Sequence, residues 1–542
     1  MKNKKKKAVS FLLASLMIAA AITGCSSVAN GNGSVPESSA ASSSDTAGSS
    51  ESSESAPAER RTLTVEIFDR STAGLVADDN ISTRYVQEHF GEPNQVDVDY
   101  IPVPRAQERD MLNTLMAANN APDMCFTYYG DLVYNYVKNG GIWDLTDALA
   151  SNGKELSEFL GDTVLEYGVY DGKQYAIPAK RMDSGALTTF VRKDWLEKLG
   201  LAEPTTTEEF YQMLTAFKEQ DPGGFGSGTI PFGLNYSAVD ITWSSANLLD
   251  SFKEDMTDEE LATLPEFAMP GFKEGMRELN KWYNEGLVSP NFALDKDTSQ
   301  YKKDIAAGKM GSLTNNFDFI YSSGNGYLAD ELAKNVEGGQ YTAVDPFNNA
   351  EGKHPKRLYT PNGIFMFVPK TCEDPTLVID YLNWMTDDDV RWFLQYGEEG
   401  IHYDSVDENG LPVGRKTNEQ LPEGQILGEV FMILNGQDFG DPEVNKIATS
   451  SNYPGHEEEL IKSLEMATVD GWLRPRLEAP IESEATLGAT VQDKANELFV
   501  KSVTCTPDQF DATFDSLLAE YMEIGGQEIL DEKIQVWQNQ TK

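Results

Sequence analysis

The sequence predicts an α/β fold in two large lobes with helices at its carboxy terminus, and three observations carry that prediction. The chain has 542 residues, which at about 150 residues per domain is ample for two large lobes. Strand and helix patterns alternate through its first folded stretch, and well-punctuated helices run from there to the end. The composition supports cores of that size: 40% of residues are hydrophobic and 10% aromatic, so wholesale disorder is a poor reading. The 87 Asp and Glu against 44 Lys and Arg leave a net charge of -43, a field that repels phosphate backbones and argues against a nucleic-acid partner.

The first element is an address. Lys2, Lys4, Lys5, Lys6 and Lys7 precede an apolar run over residues 8–22, and the run ends in Ile22-Thr23-Gly24-Cys25. A basic head, a short apolar body and small residues before a cut form a secretory signal peptide over residues 1–24. The body is shorter than the roughly 20 residues a spanning helix needs. Its end resembles a bacterial lipobox, which implies lipidation of Cys25, cleavage before it and attachment to the membrane through acyl chains alone. Removing residues 1–24 takes away five lysines and no acids, so the charge of -43 becomes -48. Residues 26–58 hold 13 Ser and only Val among apolar side chains larger than Ala; with Cys25 they make a lipid anchor and flexible linker over residues 25–60. Cys125, Cys372 and Cys505 remain, an odd number at wide spacing, so at most one pair forms and no disulfide framework holds the fold.

The folded body follows over residues 61–542. Residues 62–68 (TLTVEIF) alternate as a strand, residues 82–90 read as a helix, and residues 95–103 (QVDVDYIPV) alternate again. After Pro104 a helical stretch carries Met111, Leu112, Leu115 and Met116 on one face, and a further strand follows the turn at residues 119–122. That β-α-β-α-β order predicts parallel strands with crossover helices and a ligand site beyond their carboxyl ends, at Asp69-Arg70 and Tyr128-Tyr129. Downstream, Thr206 and Glu209 form a capping-box pair. Phe272, Met276, Leu279 and Trp282 mark a helix face ended by Gly286, and Leu377, Tyr381 and Trp384 mark another after Pro375. Thr506-Pro507-Asp508-Gln509 reads as a cap before Phe510, Phe514, Leu517 and Tyr521, and a last helix spans about residues 527–538. No internal period of 20 to 50 residues is present, which argues against solenoids and propellers.

Three segments together resemble the lipid-anchored extracellular solute-binding proteins of ABC importers, of the large family 1 type associated with oligosaccharides. The first is residues 171–178 (DGKQYAIP) followed by residues 190–201 (FVRKDWLEKLGL) and 204–206 (PTT). The second is residues 281–287 (KWYNEGL) with 308–311 (GKMG), and the third is residues 396–403 (YGEEGIHY) with the closing helices. The likeness covers about residues 62–540. Trp195, Leu196, Leu199 and Leu201 stand at helical spacing before a glycine cap, so they belong to core and cap rather than to a ligand.

The resemblance implies a two-lobed periplasmic-binding-protein-like fold with a hinge. One lobe would take about residues 61–180 plus a later return, the other mainly the middle of the chain, with the carboxy-terminal helices packed across them. It also implies a monomer at the extracytoplasmic face of the bacterial cell membrane that hands its ligand to permease subunits. One departure stands out: many relatives carry a calcium loop where this chain reads DPGGFGSGTIP over residues 221–231, leaving Asp221 as its sole side-chain carboxylate. No tight calcium site is expected there, which leaves open a weak ion held by backbone carbonyls and water.

Catalytic signatures are missing. There is no G-x-S-x-G, the glycine-rich stretch at 223–228 lacks the Lys-Ser/Thr of a phosphate-binding loop, and the four histidines have no metal-ligand spacing. The chain is therefore expected to be no enzyme and to need no cofactor. A surface-anchored glycoside hydrolase is the rival reading, because 87 acids supply carboxylate pairs by chance. An anchored adhesin or foldase would share the leader but does not predict the three segments.

A sugar presents an apolar C–H face that suits an aromatic ring and hydroxyls that suit Asp, Asn and Arg. Loop aromatics beside such groups make Tyr128, Tyr129, Trp243, Asn315, Asn316, Asp318 and Tyr403 the ligand-binding candidates, with Asp69 and Arg181 added from strand ends and linkers. The long-range field of the mature chain favours a neutral oligosaccharide over a uronate-rich one, with peptides and other small solutes as the next alternative.

Overall fold

The computed structural model describes residues 60–237 and 240–542. The predicted signal peptide, Cys25 and the linker up to residue 59 lie outside the described residues. Ten strands position the site: β1 (Arg61–Asp69), β2 (Val96–Pro104), β3 (Cys125–Thr127), β4 (Ala176–Arg181), β5 (Leu187–Arg192), β6 (Ile230–Gly233), β7 (Met310–Asn316), β8 (Tyr341–Val344), β9 (Asn362–Phe367) and β10 (Leu434–Asn435).

Alternation of Leu63, Val65 and Ile67 drives β1 into the first core, where all three are buried. β1 pairs with β2 in parallel from Arg61 opposite Val96 to Asp69 opposite Pro104, and Val65 bridges Met124, also in parallel. β3 then joins a four-stranded sheet of order β10-β4-β9-β3. A second four-stranded sheet has the order β8-β5-β7-β6. The predicted parallel start holds for β1, β2 and the approach to β3. Both four-stranded sheets are mixed, with β9 antiparallel to β3 and β4, and β5 antiparallel to β7 and β8. The chain crosses between the sheets rather than building one from consecutive crossover units, so returning strands arrive in either direction.

Each sheet has its own core. The first gathers Val65, Phe126, Ile177, Met366, Leu377 and Tyr381. The second gathers Trp195, Phe210, Phe232 and Trp282 with Phe499, Phe510 and Phe514 of the carboxy-terminal helices. Two crossings run between the sheets, residues 182–186 from β4 to β5 and residues 345–361 from β8 to β9. A third leaves β10 for the helix Glu457–Thr468, whose Leu460 and Leu464 pack with Phe190 and Leu313 of the second sheet. The helix Glu482–Thr504 also reaches the first lobe, where its Glu482 meets Lys138 at 3.0 Å.

The helix Phe272–Asn284 buries Phe272, Met276, Leu279 and Trp282 completely, and Gly286 past its end sits at φ +67, a conformation glycine adopts without strain. Four local expectations need correction. Thr206 Oγ1 accepts from Glu209 N at 3.2 Å, but the Glu209 carboxylate turns to Thr205 N and Oγ1 instead of closing the box on Thr206. Residues Pro507–Gln509 form a 3-10 turn with no side-chain cap, held by Gln509 N on Thr506 O at 2.9 Å, and the α-helix starts at Phe510. Leu201 is exposed, because the left-handed Gly200 turns the chain outward just before it. On the helix Glu108–Ala117, Leu112 is fully buried while Met111, Leu115 and Met116 are half-buried.

Candidate functional site

The candidate site forms where strand ends of the two sheets face one another. β7 ends in Asn315-Asn316, β4 in Arg181, and Trp243 opens the 3-10 turn Trp243–Ser245. Trp243 Nε1 donates to Asn316 Oδ1 at 3.0 Å, and Asn316 Nδ2 donates to the Tyr359 hydroxyl at 2.9 Å. The Trp243 and Tyr359 rings are tilted by 34° with centroids 6.1 Å apart, and the Arg181 guanidinium lies 4.3 Å over the Tyr359 ring. Arg181 Nε is held by Asn362 O at 3.2 Å. Ring, amide and guanidinium thus form one chain of contacts from β7 to β4 through the crossing at Tyr359.

Two carboxylates border this chain. Asp183, in the first crossing, accepts from Thr449 Oγ1 at 3.2 Å, and Asp318 accepts from the Tyr453 hydroxyl at 2.8 Å. Burial pushes the Asp183 carboxyl up to about 6, with the nearby Asp318 charge adding to the effect. Burial raises Asp318 as well. Burial also raises the Tyr359 phenol to about 12 and lowers the Arg181 guanidinium, which remains a cation.

On the side of the first sheet, Tyr128 follows β3 and is set by buried acids below it. Glu108 Oε1 accepts from Thr127 Oγ1 at 2.5 Å and Tyr128 N at 3.2 Å, and its Oε2 accepts from Arg105 at 2.6 Å. Glu66 Oε2 accepts from Phe126 N at 2.9 Å while its Oε1 has no partner among the described residues. Desolvation raises the Glu66 carboxyl to about 8, and the Glu108 charge beside it pushes the same way. Arg105 lies 5.1 Å from the Phe68 ring centre and 5.0 Å from that of Tyr128, whose rings are nearly parallel at 6.4 Å. Phe68 and Tyr128 line a cavity of about 410 Å³ together with Asn435 and Arg415. A larger cavity of about 820 Å³ lies beside it, between residues 70–73 and residues 323–334.

The structure therefore gathers Arg181, Trp243, Asn316 and Asp318, with Tyr128 within electrostatic reach of Arg181 and Tyr359. Asn315 is buried behind Asn316 and fixes it, its Oδ1 accepting from Asn316 N at 2.9 Å. The remaining candidates stand elsewhere. The Tyr129 ring packs under Arg109, 4.3 Å from its guanidinium, on the outer core of the first lobe. Tyr403 is buried with its hydroxyl accepting from Trp392 Nε1 at 2.9 Å. Asp69 accepts from Ser71 N at 2.7 Å and shapes the turn after β1. Tyr359, Tyr453, Asp183 and Arg415 were not among the candidates. Asp183 lies two residues past Arg181 and was within reach of the strand-end argument; Tyr359 and Arg415 sit on irregular segments with no periodicity to mark them, and Tyr453 sits in the turn between the helices Pro442–Ser450 and Glu457–Thr468.

The loop 221–231 is closed by its own side chain: Asp221 accepts from Phe225 N at 3.0 Å, Gly226 N at 2.7 Å and Thr229 Oγ1 at 2.5 Å. Among the described residues no group of three or more His, Cys, Asp or Glu side chains gathers as for a metal ion. Cys125, Cys372 and Cys505 are free thiols. No helix among the described residues is long and apolar enough to cross a membrane.

Comparison with known proteins places this geometry in context. The profile of a family described as bacterial extracellular solute-binding protein matches residues 73–392. The chain is 24% identical over 354 residues to the lipoprotein LipO of Bacillus subtilis, an alignment covering 62% of this chain and 67% of that one. It is 26% identical over 326 residues to the polygalacturonan/rhamnogalacturonan-binding protein YtcQ of the same organism, covering 58% of this chain and 62% of that one. Among solved structures, the Streptococcus pneumoniae substrate-binding protein FusA in complex with kestose superposes with a TM-score of 0.66 at 16% identity, covering 89% of this chain and all of that one. The alginate-binding protein AlgQ2 without calcium superposes at 0.64 and 19% identity, covering 89% and 98%. This likeness establishes a two-lobed, periplasmic-binding-protein-like α/β fold.

Proposed function

Because the chain belongs to the bacterial extracellular solute-binding proteins, we propose that it is the lipid-anchored substrate-binding component of an ABC importer, capturing an oligosaccharide between its lobes and delivering it to the permease. The observation that carries the reading is the contact chain Trp243–Asn316–Tyr359–Arg181, bordered by Asp183 and Asp318. Aromatic faces suit the apolar side of a pyranose or furanose ring, and the amide, carboxylate and guanidinium groups suit its hydroxyls. Relatives named for sugar polymers or carbohydrate transport support the same class.

The two lobes are joined by narrow crossings, so a hinge motion that closes them on a ligand needs few residues to change conformation. The closed form would be what the permease reads. Anchoring through Cys25 at the extracytoplasmic membrane face rests on the leader sequence and is supported by the relative named a lipoprotein. The expectation of a neutral ligand rests on whole-chain charge, a term screened beyond about 8 Å, so local groups in the cleft decide it. The lobe boundaries, the monomeric state and the absence of catalysis belong to the same proposal.

A thermal-shift screen of oligosaccharides and peptides against the full chain, with chromatography of the recovered ligand, tests the reading. A saccharide that raises the melting temperature and is recovered intact supports it, since a ligand bound to the folded state stabilises by mass action. A shift with peptides alone refutes it. Product formation abolished by Asp183→Asn or Asp318→Asn would replace it with the hydrolase.

A further inference from the structure

Arg415 differs from the paired cations around it. Its guanidinium donates to Asn452 Oδ1 at 2.5 Å and to Gln395 O at 3.4 Å, and lies 4.9 Å over the Tyr396 ring. Among the described residues no carboxylate comes within ion-pair range of it. Burial lowers it to about 10, so it still carries its charge at neutral pH. It lines the 410 Å³ cavity in which Tyr128 and Phe68 present their rings.

The charge of that cavity is unlike the charge of the chain. Its charged lining consists of Arg70, Arg415 and Lys416 against one carboxylate, Glu429. Glu429 is taken by Arg70 Nε at 2.5 Å, and Lys416 reaches Gly400 O at 3.3 Å and, as its one carboxylate among the described residues, the exposed Asp404 at 3.5 Å. His402 adds no charge: its Nδ1 accepts from Glu398 N at 3.0 Å, so Nε2 carries the proton toward Gln425 O at 2.8 Å. The lining therefore has an excess of two positive charges in a chain whose net charge is -43. Withdrawing an unpaired charge from water is costly unless a partner arrives. A planar guanidinium fork is shaped to receive a carboxylate through two parallel hydrogen bonds.

We infer that this cavity is a subsite for an acidic sugar, with Arg415 receiving the carboxylate of a uronate residue while the Tyr128 ring takes the face of the pyranose. This deepens the saccharide-binding reading and rests on it. It also overrides the preference for neutral ligands drawn from whole-chain charge, because the diffuse field is screened beyond about 8 Å whereas a buried ion pair is screened far less.

The test is calorimetry on the full chain with trimers of galacturonate, mannuronate and guluronate, and with the same trimers after carboxyl reduction. At least one acidic trimer is expected to bind about 30-fold or more tightly than its reduced counterpart. Arg415→Gln should lower that affinity by about 30-fold or more, in the range found when one partner of a buried charge pair is removed, and leave the reduced trimer within about threefold. Arg415→Lys, which keeps the charge and loses the fork, should recover part of the loss. Melting temperatures without ligand show that each variant is folded, and Arg70→Gln, whose partner is already supplied within the chain, serves as a second variant that should cost less than Arg415→Gln. Equal binding of acidic and reduced trimers, or an equal loss of both in Arg415→Gln, overturns the subsite. If neutral fructo- or malto-oligosaccharides bind and no uronate trimer does, the subsite falls while the carbohydrate reading stands; if no saccharide binds, both fall.

Discussion

Replacing Glu66 by Gln should make the protein more stable in mild alkali and leave it little changed in mild acid. Glu66 is 1% exposed, its Oε1 lacks a partner among the described residues, and the Glu108 carboxylate stands beside it. Burial raises its carboxyl from the ordinary 4.5 to about 8. The folded state thus keeps a proton that the unfolded state releases above about 4.5, so the stability this group contributes is fully present below 4.5 and is lost as pH rises through 8. At 1.36 kcal/mol per tenfold change in proton activity, that span amounts to about 5 kcal/mol. Glutamine has the same shape and no proton to lose. Urea unfolding of wild type and Glu66→Gln at pH 5, 7 and 9 should show the variant gaining on wild type by about 3 to 5 kcal/mol between the extremes, with unchanged m-values. Parallel stability profiles would refute the reasoning and place an ionised Glu66 under the Tyr128 turn at neutral pH.

Other outcomes follow from the same structure. Trp243→Ala should weaken saccharide binding by at least about 0.5 to 1.5 kcal/mol, measured by calorimetry, while the melting temperature without ligand changes little; a large loss of unliganded stability would make Trp243 a core residue. Arg357, in the crossing from β8 to β9, pairs with Asp240 at 3.1 Å and with Asp250 at 3.5 Å and also meets Glu266. Arg357→Met takes from Asp240 its one ion-pair partner among the described residues and leaves Asp250 and Glu266 to Lys253, at 2.6 and 3.5 Å; it should cost about 3 to 5 kcal/mol in urea unfolding, and a loss under 1 kcal/mol would contradict the role given to this network. Mass spectrometry should find an acylated Cys25 at the mature terminus, and Cys25→Ala should release the protein or leave it unprocessed, whereas an unmodified Ser26 terminus would end the lipoprotein proposal.

Much of the fold was legible because period-2 and period-3.6 patterns report burial directly. The alternation in residues 62–68 and 95–103 yields β1 and β2, and Phe272, Met276, Leu279 and Trp282 form a wholly buried helix face. The pairing of β3 with β9 joins residues more than 230 positions apart, and no local signal encodes such a partner. Caps misled where a neighbour competed: Glu209 prefers Thr205, whose amide and hydroxyl both point at it, over the expected Thr206 amide. The site was half legible. Trp243, Asn316 and Arg181, which the structure links through Tyr359 in the candidate site, could be named from the sequence because strand ends and loop aromatics are visible there. Tyr359 lies on the crossing that brings it back to the cleft and Arg415 on the irregular stretch before β10, where no local pattern marks either, and Tyr403 is diverted by Trp392, four residues before the motif that holds it.

Hydrogen exchange with and without a saccharide found in the screen tests most directly the claim that a sugar is held between the two lobes. The account predicts slowed exchange at both faces at once, in residues 126–130 and 180–184 on one side and 313–318 and 243–247 on the other, together with the crossing at 357–361. Protection confined to one lobe, or to segments remote from Trp243 and Tyr128, would contradict it.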